Sequence, residues 1–236
     1  MSLQTTLPKM PDKGPIYLET VHYHQSGATG WPVEPWNTLS SLLFIVIVGY
    51  WVIKLWGQFR HFRFMGYALV VLCIGGLGGF LYHSFRSDVI YLFMDWFPIV
   101  ILTISVAFWF TGRLIGHWGW ALLLSLISYV VFFGGFAGIH EWLGLPRRSI
   151  SLGYVIAGLY IATPLLLYLK KTAFCHGRWV LGAIGFFLPA VFFRSVDMEG
   201  WLPMGTHFLW HVLGAVATHC LLYYTFLTQS DVRRSL

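Results

Sequence analysis

The chain has 236 residues, of which 57% are hydrophobic and only 10% charged, against roughly a quarter charged in an ordinary soluble domain. That balance excludes a soluble globular protein. The net charge of +6 is scattered over short connections without a basic stripe interleaved with aromatics, so it leaves no role for nucleic acid and suits basic residues beside anionic lipid headgroups.

Residues 1–35 form a polar N-terminal arm containing Pro and Gly. It lacks the basic-then-apolar pattern and small-residue cleavage site of a signal peptide, so the first span is expected to insert unaided. Windows of about 20 apolar residues then predict membrane helices at 37–56, 65–84, 90–111, 117–137, 151–169, 179–195 and 206–228. Each must be helical, because a backbone in hydrocarbon has to satisfy its own hydrogen bonds. The predicted fold is all-α, a seven-transmembrane helix bundle over 36–229 with a short cytoplasmic tail at 230–236. Trp and Tyr cluster near the ends of the apolar runs, where amphipathic rings prefer the headgroup region. Nine Lys and Arg fall on one side of this topology and six on the other, which places the N-terminus outside and the C-terminus inside. Cys73, Cys175 and Cys220 are not placed for an outer-face disulfide, and no CxxC pair suggests a metal or redox motif.

The ten histidines sort by depth. His61 and His176 lie in basic loops and read as solvated, His117 and His140 flank the fourth span as interfacial residues, and His219 reads as a hydrogen-bonding group between helices. His22 and His24 make an HxH pair in the arm, a weak metal signal. His83, His207, His211 and the intramembrane Asp95 remain. His207 and His211, at i and i+4, project about 40° apart with about 6 Å of rise, within reach of one ion. Under the seven-span topology, His83 ends the second span and Asp95 lies about a turn inside the third, so four groups from three helices meet at one level. A carboxylate inside a span costs about 2.5–3.5 kcal/mol on insertion scales, and Asp95 therefore needs an explanation. Three histidines form the ligand set of an open catalytic zinc site, where an ion lowers the pKa of water and a nearby carboxylate takes its proton. The same groups could instead form a polar network that pins three helices together. Spacing leaves both readings open.

GWPVEPWNTLSSLLF at the first span, GLGGFLYHSF from Gly76 to Phe85, the following MDWFPI and GTHFLWHVL at the last span together resemble the CREST superfamily of seven-span membrane hydrolases and receptors. The nearest branch is that of the bacterial relatives of alkaline ceramidases. The resemblance covers the first three spans and the last. It implies zinc held by His83, His207 and His211, Asp95 as general base, and a ceramide-like lipid amide entering from the bilayer. It also implies a bacterial inner-membrane protein with its active site near the periplasmic side.

Two features depart from that family. Its usual serine, four residues before the first zinc histidine, is Gly79 here, and losing an oxyanion donor costs on the order of a hundredfold in rate. Alkaline ceramidases also resemble one another in an N-terminal calcium site. Glu34 and Asn37 match its later part, which makes calcium a second expected ion, whereas only Glu19 stands for its earlier acidic cluster. Read without the resemblance, Glu34 is a cap of the first span and Asn37 bonds neighbouring backbone. Two other functions fit the histidines: a receptor-like or interaction protein with a structural zinc, and a bis-histidine haem protein.

Overall fold

A computed structural model describes residues 10–135, 137–138 and 150–234. In chain order these form α1 (Leu18–Gln25), α2 (Pro35–Lys54), α3 (Arg63–Phe85), α4 (Val89–Ile115), α5 (Trp118–Tyr129) with a following π-helical turn (Val130–Gly135), α6 (Ile150–Lys171), α7 (Gly177–Ser195), a 3-10 turn (Asp197–Glu199) and α8 (His207–Arg234). No strand occurs among the described residues. Among the described residues, six helical segments, from α2 to α7 with α5 counted together with its π turn, are long and apolar enough to cross a membrane. The last helix, α8, carries His207, His211 and His219, which lower its hydropathy, and it lies outside that set.

Most predicted boundaries fall within a few residues of the observed ones. The exceptions have local causes. The arm contains α1, and the predicted tail from 230 continues α8 as far as Arg234. His117 sits at the N-cap of α5, where its Nδ1 accepts the Trp120 N–H at 3.2 Å. His140 and the charged residues Glu141, Arg147 and Arg148 lie outside the described residues.

The chain divides into two compact units, one comprising residues up to Ile99 and from Arg178 onward, the other Val100–Gly177. In the first, α2 packs against both α3 and α8, and Trp51, Leu55, Met65 and Tyr82 are fully buried. Gly78 lets α3 approach α4 closely, since a Cβ there would collide with the Met94 carbonyl. Val46, Ile53, Val70 and Leu181 are exposed, a surface that would be a liability in water and is ordinary against lipid. The second unit holds α5, its π-helical turn and α6. Within it the Tyr160 hydroxyl donates to the Ser125 carbonyl at 2.8 Å, and the Lys171 ammonium caps the end of α4 through the Leu114 carbonyl at 2.7 Å.

Candidate metal centre

His83 lies in the last turn of α3 and is fully buried. The chain entering α2 crosses it: the Val33 and Glu34 N–H groups donate to the Ser84 and His83 carbonyls at 3.0 and 3.1 Å, satisfying carbonyls that a helix end leaves open. This crossing brings Glu34 Oε2 to 2.5 Å from His83 Nδ1. Burial alone would raise the Glu34 pKa, but the Arg86 guanidinium and His83 outweigh it and hold the carboxyl down at about 2. An ionised carboxylate only accepts hydrogen bonds, so His83 Nδ1 carries the proton and Nε2 presents its lone pair. That Nε2 is buried with no hydrogen-bond partner among the described residues.

His207 and His211 are positioned by the start of α8. Asp197 Oδ1 accepts the Thr206 and His207 N–H groups at 2.7 and 2.8 Å, taking the part of a helix cap. The fit requires glycine at 205, where φ is +77° and a Cβ would strike Asp197 Oδ1. The other oxygen of Asp197 accepts the Leu18 N–H at 2.9 Å, so one carboxylate ties α1 to α8. His211 Nδ1 lies 2.9 Å from Ser40 Oγ and 3.2 Å from the Asn37 carbonyl. The carbonyl can only accept, which assigns the proton to Nδ1 and leaves Nε2 as the ligand atom. His207 stacks on Tyr17 with ring centroids 3.8 Å apart. Arg194 Nη1 lies 3.2 and 3.4 Å from its two ring nitrogens, so an ion on the His207 lone pair must displace that guanidinium donor.

The three rings converge, with centroids 4.8 to 5.3 Å apart. Each offers a nitrogen within 4.8 Å of the others, and all three residues are buried. An orphaned imidazole nitrogen, a carboxylate behind one ring and a carbonyl behind another are the surroundings expected of metal-binding histidines. The donor set fits a metal ion, and three imidazoles suit zinc among others. Asp95 stands beside the group: its Oδ1 is 2.8 Å from where a Cβ would be at Gly79, one turn before His83. It interacts electrostatically with His83 and Arg194. Gly79 thus makes the space that the Asp95 carboxylate occupies.

The residues expected from sequence meet here, but their supports differ from the expected ones. Glu34 occupies the N-cap position of α2 without capping it. Glu19 does that instead, accepting the Trp36 and Asn37 N–H groups at 2.8 and 2.9 Å. Burial raises the Glu19 pKa to about 7, against the lowering effect of those two N–H groups. Arg86, Arg194, Tyr17 and Asp197 had given no sequence signal beyond charge or aromatic character. Comparison with known proteins finds no family model that matches the chain and no curated protein with significant similarity to it.

Proposed function

We propose that the chain is a zinc-dependent membrane hydrolase that cleaves a lipid amide, with His83, His207 and His211 holding the ion. The observation that carries this reading is the buried, unpartnered Nε2 of His83, whose ring is fixed by Glu34 and faces two further histidines. Zinc at such a site lowers the pKa of water and polarises a carbonyl. Asp95 accepts a proton from the attacking water and returns it to the departing nitrogen, so amide and water give a fatty acid and an amine. The apolar exterior supports a substrate that arrives from the bilayer. In this reading α8 is a seventh span, the N-terminus is outside and the C-terminus inside, and the site lies near the periplasmic side of a bacterial inner membrane.

A second reading, a receptor-like or interaction protein with a structural metal, is favoured by Gly79, which offers no hydroxyl at this turn of α3, and by the Arg194 contact to His207. Elemental analysis of the detergent-purified protein, followed by a ceramide hydrolysis assay, separates the two. The hydrolase is expected to hold about one zinc per chain, to lose it in His211→Ala, and to keep it in Asp95→Asn while turnover falls roughly 10²–10⁴-fold. Zinc without hydrolysis of any lipid amide leaves the structural reading. Wild-type protein that takes up no zinc removes both.

A further inference from the structure

Behind Glu34 lies a second buried cluster that the hydrolytic reading does not use. Arg86 directly follows α3 and is 1% exposed. Its five guanidinium N–H donors are spent on five oxygens. Nε donates to Asp12 Oδ2 at 2.7 Å, and Nη2 donates to Asp12 Oδ1 at 3.2 Å and to the Pro15 carbonyl at 2.8 Å. Nη1 donates to Thr20 Oγ1 at 3.0 Å and to Glu34 Oε1. Two carboxylates, a hydroxyl and a carbonyl converging on one point make the oxygen cage of a hard cation, and a guanidinium fills it.

The same set of hydrogen bonds speaks against calcium near Glu34 and Asn37. Glu34 Oε1 is taken by Arg86 and Thr20, and Oε2 by His83 and Asn37 Nδ2 at 3.1 Å. Both Glu19 oxygens serve α2 backbone N–H groups, and both Asp12 oxygens serve Arg86. Of the side-chain oxygens of Asp12, Glu19, Glu34 and Asn37, Asn37 Oδ1 alone has no partner among the described residues, whereas calcium takes about six to eight. The backbone adds an independent sign. Arg86 is a helix C-cap in the left-handed region, at φ +49°, a conformation that usually selects glycine or asparagine.

We infer that Arg86 is a tethered substitute for a dissociable divalent cation: it neutralises the Asp12 and Glu34 cage and holds Glu34 against His83 Nδ1, which makes it a positioning residue for the metal centre. The inference rests on the reading that the histidine triad binds a metal. It predicts a centre that works without calcium and depends on Arg86.

The test uses the full chain in detergent. Calcium is titrated into wild type by calorimetry, and cobalt is titrated into wild type, Arg86→Gln and Arg86→Lys with the visible ligand-field spectrum as readout and circular dichroism as a fold control. Wild type is expected to give no calcium heat. Both variants are expected to bind cobalt roughly 10–100-fold more weakly, the usual effect of losing a group that orients a metal ligand, with an altered spectrum and unchanged helix content. One calcium bound per wild-type chain would overturn the inference, as would unchanged cobalt affinity and spectrum in either variant. If a variant does not fold, the calcium titration of wild type still decides. Absence of cobalt uptake by wild type would instead sink the metal reading, an outcome distinct from calcium binding at the cage.

Discussion

The helices α2, α3 and α8 meet twice, and the two meetings are held by different physics. At the histidine end the buried groups are ionic or polar: Asp12, Glu34, Arg86 and Asp197 with the three imidazoles, each bonded to a named partner. At the opposite end, Lys54 lies among the Tyr50, Trp51, Tyr223 and Phe226 rings, with its ammonium 4.6 Å from the Tyr223 centroid. There Phe62 stacks on Phe226 and Trp179 on Tyr223. Aromatic packing distributes its stabilisation over many small contacts. A buried ion network concentrates it, because removing one partner strands another charge in low dielectric. The first end is built for geometry and the second for tolerance.

Substitutions should expose that difference. The largest stability effect is expected for Glu34→Gln, which leaves the Arg86 guanidinium short of a buried counter-charge. Breaking such a pair costs about 3–5 kcal/mol, seen as a large drop in thermal midpoint with weakened metal uptake. Asp197→Ala comes next. Loss of a capping side chain costs about 1–2 kcal/mol, and released N–H groups on both α1 and α8 should appear as faster amide exchange at Leu18 and His207.

Glu19 gives a smaller, pH-dependent effect. Its folded pKa, about 7, stands above the ordinary value of 4.5, so the folded state binds the proton more tightly than the unfolded one. Its contribution is complete below the ordinary carboxyl range and is lost as pH rises through 7. Melting curves from pH 4 to 8 should therefore decline more steeply for wild type than for Glu19→Gln. Equal slopes would place the effect elsewhere. At the aromatic end, Lys54→Met should cost only about 0.5–1 kcal/mol, a shift near the limit of a thermal melt.

Sequence made the histidine triad legible because two of its members share a helix face and hydropathy sets the depth of the third. Helix existence was legible for the same reason: lipid demands long apolar runs. The supporting groups were not, since their partners are far apart in the chain. Arg86 read as one more loop charge, although its partner Asp12 is 74 residues away, and Asp197 reaches Leu18 across 179 residues. Local pattern also misassigned the cap of α2: Glu34 stands at the capping position, while the carboxylate that performs the task comes from α1. Periodicity reports which face and what depth a residue occupies. It carries no record of which distant side chain arrives there.

The Asp197 bridge has a consequence for how the protein is made. A ribosome adding about 5–20 residues per second synthesises Leu18 roughly 10–40 s before the carboxylate that receives its N–H. During that interval the Leu18 N–H lacks its carboxylate, although the partners named above for Asp12, Glu19 and Glu34 have all been made once Arg86 is in the chain. His207 and His211 emerge later still, beyond Asp197. A metal held by all three histidines would have to load late, and nascent chains stalled before residue 197 should carry no ion at that site and leave the Leu18 amide open to exchange.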